Sequence, residues 1–79
     1  METSKKETIL VCGGAGYIGS HTVHELIKSQ YDVIVFDNFS KGHPQAVPKN
    51  VTCYTGDILN TNDLEKVFSK HKIDAVMVI

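Results

Sequence analysis

The 79-residue sequence contains no arginine. It therefore lacks the side chain best shaped to clamp a phosphate with two hydrogen bonds or to read guanine. Its eight cations are lysines, set against nine acids for a net charge of −1, so no basic face for nucleic acid is expected. No apolar run nears the ~20 residues of a membrane span, and the opening stretch from Met1 to Thr8 is polar, unlike the apolar core of a secretion signal. Only two cysteines are present. Cys12 and Cys53 lie far apart with no zinc-type spacing, and both are expected to be small buried residues near strands, in a reducing, cytoplasmic setting. The two prolines, Pro44 and Pro48, fall in one stretch and exclude a long helix there, leaving room for one turn around Pro44–Val47.

What remains is an alternation of short apolar runs and amphipathic segments. Thr8–Cys12 (TILVC), Asp32–Phe36 (DVIVF, ending at Asp37), Val51–Thr55 (VTCYT) and Ile73–Ile79 (IDAVMVI) read as strands. The first two are continuous in their apolar residues, as buried parallel strands are. Tyr17–Ser29 reads as a helix with Val23, Leu26, Ile27 and Gln30 on its buried stripe and His21, His24, Glu25 and Lys28 on its polar face. Asn60–His71 reads as a second helix, with Leu64, Val67 and Phe68 inward and a cap at Asn62, paired with Glu65, or at Thr61. Lysines 66, 70 and 72 cluster late, where cations suit the helix dipole. Strand–helix–strand alternation implies right-handed crossovers and a parallel sheet. Four strands with so few helices cannot be covered on both faces, so the chain is expected to stop inside a larger fold. The division expected is a polar tail, 1–7, and an incomplete domain, 8–79, with no substrate domain.

The sharpest signal is Gly13-Gly14-Ala15-Gly16-Tyr17-Ile18-Gly19, with four glycines in seven positions between the first strand and the first helix. It fits G-x-G-x-x-G from Gly14 and G-x-x-G-x-x-G from Gly13. In either register one glycine permits the tight turn. Gly16 lets a pyrophosphate approach bare backbone, and Gly19 lets the helix pack closely. The helix N-terminus then offers unpaired N–H groups and a positive dipole end to the phosphates, which needs no arginine. A turn that merely requires glycine would not also call for an acid. Asp37 ends the next strand about 20 residues on, where a carboxylate takes the adenosine ribose hydroxyls. An acid there repels a 2′-phosphate and favours NAD over NADP; Lys41 is the one nearby cation against that preference. The fold class expected is α/β: a partial Rossmann, doubly wound parallel sheet of about four parallel strands with flanking helices.

The strings GGAGYIGSHTVHEL, DNFSKG and GDI resemble the extended short-chain dehydrogenase/reductase family. Within it they resemble the branch of 4-epimerases acting on UDP-glucose and UDP-galactose, over residues 9–79. Related dehydratases and decarboxylases of sugar nucleotides share parts of these strings. The resemblance implies NAD as cofactor, with Gly16, Tyr17 and Ile18 at the pyrophosphate. Asp37, Asn38, Phe39, Ser40 and Lys41 would lie along the adenosine ribose, and Asp57 and Ile58 would hold the adenine. Asp57 also reads as a turn or cap residue in Thr-Gly-Asp, and Phe39 reads equally as adenine neighbour or loop packing. Cys12 stands where the family usually has threonine, a change that keeps size and so packing.

For a complete chain the resemblance implies oxidation and re-reduction at sugar C4 of a UDP-sugar, driven by a tyrosine–lysine pair, and leaves a homodimer open. None of the three tyrosines has lysine four residues on: Tyr17 has His21, Tyr31 has Val35 and Tyr54 has Ile58. The 79 residues alone are therefore expected to hold no catalytic residue, to be inactive, and to bind NAD weakly. A non-catalytic dinucleotide-binding product is the competing reading. His21 and His24 form His-x-x-His without a third ligand and read as a solvated face rather than a metal site. Neither Ser20 nor Ser40 sits in a nucleophile context.

Overall fold

In a parallel sheet covered on both sides, odd and even residues of a strand serve opposite faces and both must be apolar. β1 (Thr8–Cys12) and β2 (Asp32–Asp37) are built this way. The computed structural model describes residues 6–40 and 44–79. In it, Ile9, Val11, Val33 and Val35 cluster with Val23 of α1 (Tyr17–Lys28). Leu10, Cys12, Ile34 and Phe36 cluster with Val67 of α2 (Thr61–Lys70) on the other face. β3 (Thr52–Thr55) and β4 (Ala75–Val78) complete one parallel sheet in the order β3-β2-β1-β4. The chain walks outward from β1 to β3, then returns through α2 to the far side of β1. Loops leaving neighbouring strands diverge at such a reversal, and a crevice opens at the strands' C-terminal ends.

The expected α/β class and the four parallel strands are observed, and a short 3₁₀ turn, Pro44–Ala46, follows where the prolines allow one. Four local expectations are corrected. Gln30 is exposed and is not on the buried stripe. α1 stops before it, because Gln30 takes φ 70°. Its N–H donates to the Ile27 carbonyl at 2.9 Å and that of Tyr31 to Leu26 at 3.0 Å, which is the Schellman ending usually made by glycine. α2 is capped by Asn60, not by Thr61 or Asn62: the Asn60 side-chain oxygen accepts from the N–H groups of Asn62 and Asp63. Phe68 is largely exposed, so only Val67 and Leu64 carry the inner stripe of α2. Cys53 is exposed rather than buried, because β3 is an edge strand and α1 packs over β1 and β2, not over β3. His71, which has no evident partner in sequence, shares a 2.8 Å hydrogen bond through Nε2 with the Tyr54 hydroxyl and so ties the end of α2 to β3. As expected, coverage is incomplete: every residue of β4 is exposed.

The glycine turn fixes where α1 begins. Gly13 adopts φ 91°, a region closed to most L side chains, and its carbonyl accepts from the Gly16 N–H at 3.3 Å. Gly19, one turn into the helix, rests against that same carbonyl so closely that a Cβ on Gly19 would collide with it. Gly13 and Gly19 are thus both required by the turn, and Gly14 is held close as well, since a Cβ there would lie 3.0 Å from the Val35 methyls. Gly19→Ala should reverse the usual preference of a helix for alanine, costing about 1–3 kcal/mol where an ordinary helical site would gain up to about 1. Urea unfolding reads the sign directly, and a stabilised variant would contradict the contact. Gln30→Gly should stabilise by about 0.5–1 kcal/mol by relieving the left-handed residue, seen as a higher urea midpoint at constant slope.

Candidate functional site

A cleft of about 300 Å³ lies at the C-terminal ends of the strands. Its walls come from every loop that leaves the sheet there: Cys12, Gly13, Gly16 and Gly19 after β1, Phe36, Asp37, Asn38 and Ser40 after β2, Gly56, Asp57 and Ile58 after β3, and Val78 and Ile79 after β4. The ladder continues into these loops. Gly13 N–H donates to the Phe36 carbonyl at 2.8 Å, Gly56 N–H to Asp37 at 3.1 Å and Ile79 N–H to Cys12 at 3.0 Å. The walls are therefore anchored on paired backbone rather than on free loops.

Asp37 is the pivot. One carboxylate oxygen accepts from the Ala15 N–H at 2.9 Å and the other from the Phe39 N–H at 2.8 Å, so the acid ties the glycine turn to its own loop. A carboxylate has about four acceptor positions; two remain for a ligand. Asn38 closes the next turn by accepting from the Ser40 N–H at 2.9 Å, and Phe39 takes φ 60°. After β3, Asp57 accepts from the Leu59 N–H at 2.9 Å through Oδ1. The turn role that the sequence also suggested for Asp57 is thus filled by one oxygen. Among the described residues no donor is paired with the other.

The two helix starts differ. At α2 the Asn60 side chain caps, and Asp63 adds an acid in the first turn. At α1 the N-cap is Gly16, no side chain caps, and the first turn holds no acid. Among the described residues no acceptor is paired with the N–H groups of Tyr17, Ile18 or Gly19. These orphan donors and the positive end of the helix dipole form an anion site if an anion is supplied.

Of the residues singled out in the sequence, Gly13, Gly16, Gly19, Asp37, Asn38, Ser40, Asp57 and Ile58 meet in the cleft. Tyr17, Ile18 and Phe39 stand outside its walls, and the Tyr17 side chain is 81% exposed. Lys41 lies outside the described residues. Cys12 is buried at the base. Burial, helped by the nearby Asp37 charge, pushes its thiol pKa up and keeps it un-ionised rather than nucleophilic. Sequence reasoning missed Gly56, Asp63 and the floor residue Phe36. A Cβ on Gly56 would sit 2.7 Å from the Phe36 ring and 3.0 Å from the Asp63 carboxylate, and the glycine just past β3 was the available signal.

Known proteins share this arrangement. A UDP-glucose 4-epimerase of Lacticaseibacillus casei is 50% identical over 70 residues, 89% of this chain and 21% of that protein. The crystal structure of a Thermotoga maritima UDP-glucose 4-epimerase with UDP-glucose superimposes with a TM-score of 0.86 at 42% identity, over 91% of this chain and 23% of that one. A Thermus thermophilus UDP-glucose 4-epimerase in complex with NAD gives a TM-score of 0.87 at 35% identity, over 90% and 23%. The chain spans about a fifth of the length of these relatives. The family described as NAD dependent epimerase/dehydratase matches residues 9–79, and the chain belongs to it.

Proposed function

We propose that this chain holds the adenosine and pyrophosphate of NAD in an enzyme that interconverts UDP-glucose and UDP-galactose. The observation that carries the reading is Gly16. Its backbone, φ −79° and ψ 177°, suits any residue, and a Cβ there would meet nothing nearer than the Gly13 carbonyl at 3.7 Å. The fold does not need glycine at this position. A bare backbone beside three orphan N–H groups is what an approaching diphosphate needs.

The residues fit the cofactor in three respects. The N–H groups of Tyr17, Ile18 and Gly19 would take the pyrophosphate. Asp37, with acceptor positions to spare, would take the ribose hydroxyls and reject a 2′-phosphate; Asn38, Phe39, Ser40 and Lys41 would flank that sugar. The carboxylate of Asp57, with Ile58 beside it, would hold the adenine through its exocyclic amine. NAD supplies the hydride acceptor and donor for chemistry at a sugar carbon. This chain's residues bind and orient it; no tyrosine here has the lysine that proton transfer at C4 calls for. The UDP-sugar, a homodimer and the catalytic pair belong to the complete enzyme, and 8–79 is read as part of its NAD-binding domain. Among the described residues no helix is long and apolar enough to cross a membrane. We assign the protein to the cytoplasm, where two cysteines on opposite sheet faces stay reduced.

Saturation-transfer NMR on the 79-residue chain with NAD should mark the adenine and adenosine-ribose protons more strongly than the nicotinamide protons. Transfer confined to the nicotinamide, or none with folded protein, would defeat the reading. NADP should bind about tenfold more weakly or worse, since an acid near a phosphate costs at least about 1.4 kcal/mol. Gly16→Ala should keep stability within about 1 kcal/mol, the range of an N-cap change, yet lower NAD affinity about tenfold. Calorimetry and urea unfolding on the same sample separate the two effects.

A further inference from the structure

We infer that Asp63 is a positioning residue that sets the Asp57 carboxylate toward the adenine, and so helps choose the base of the dinucleotide; the inference rests on the NAD reading of the cleft. Asp63 is the third residue of α2. An acid at that place ordinarily reaches back to the N–H of the N-cap residue. Here the Asn60 N–H is already taken by the Asp57 carbonyl at 2.9 Å. The Asp63 carboxylate passes the cap and accepts from the Asp57 N–H at 3.2 Å.

Three groups of Asp57 are thereby engaged: its N–H by Asp63, its carbonyl by Asn60, and Oδ1 by the Leu59 N–H. Oδ2 is the remaining polar atom, on a residue that lines the cleft. Gly56 leaves room beside this bond: a Cβ there would lie 2.7 Å from the Phe36 ring and would crowd the Asp63 oxygen at 3.0 Å. Two neighbouring acids repel each other in principle. Asp63 sits in the first turn of α2, where the helix dipole offsets that repulsion. Asp63 does not itself line the cleft, so its influence on a ligand runs through Asp57, the wall residue it bonds.

The probe pair is NAD and its hypoxanthine analogue, which carries a carbonyl in place of the exocyclic amine. The wild-type chain should prefer NAD by about fivefold or more, the order expected for a partly solvated hydrogen bond to a carboxylate. Asp63→Ala should cut that preference at least about threefold toward unity. Asp63→Asn, which keeps an acceptor oxygen, should retain it. In the wild type, hydrogen exchange at the Asp57 N–H should be slowed about tenfold or more relative to an unstructured peptide. That readout stands even where Asp63→Ala does not fold. Preference unchanged in folded Asp63→Ala, or Asp57 exchange at the unstructured rate, overturns the role of Asp63. Failure of the wild type to bind either dinucleotide overturns the NAD reading itself, and the role of Asp63 with it.

Discussion

The contact on which the site depends is the seating of Gly19 on the carbonyl of Gly13. It presses the first turn of α1 onto the end of β1 with no side chain between them. The positive end of the helix therefore stops at the lip of the crevice rather than a side chain's width above it. The same carbonyl accepts from the Gly16 N–H, so one backbone oxygen fixes both the turn and the helix start. Asp37 then braces the arrangement from the neighbouring strand by accepting from Ala15. Helix, turn and acid form one mechanical unit: displacing any of them displaces the others.

This unit explains why the two helices end so differently. α2 satisfies its own N-terminus with Asn60 and Asp63, as a helix does when nothing else will. α1 leaves its first N–H groups without a partner among the described residues and carries glycine at the cap. A Ser or Asp at Gly16 would stabilise the helix start by a few tenths of a kcal/mol. The chain forgoes that stability at one helix and takes it at the other, and the helix that forgoes it opens on the cleft.

Much of this was legible in the residues. The apolar runs TILVC and DVIVF located the two central strands. The glycine spacing followed by Asp37 located the site, because those features act through backbone geometry and short-range chemistry that sequence spacing encodes directly. What was not legible depends on tertiary neighbours. Gln30 matches the helical period, yet the chain turns there because Leu26 and Tyr31 pack on the same cluster and the Schellman bonds draw the backbone back. Cys53 has the composition of a buried residue, but its burial depended on where α1 lies relative to an edge strand. Gly56 and Asp63 escaped notice because their importance comes from a ring on β2 and a bond between loop and helix.

The absence of arginine then acquires a physical reading. On the proposed function the ligand is a diphosphate joined to an adenosine, whose ribose hydroxyls and adenine amine both donate hydrogen bonds. Backbone N–H groups at a helix start suit the diphosphate, because they carry partial positive charge at a fixed position and need no mobile side chain. Carboxylates suit these donors. Were a guanidinium present beside Asp37, it would occupy the acceptor positions the hydroxyls need. It would also soften the repulsion that excludes a third phosphate. Dividing the work between backbone for the anion and acids for the donors gives a site whose selectivity rests as much on what Asp37 repels as on what it holds. It would also reconcile the proposed diphosphate binding with a net charge of −1.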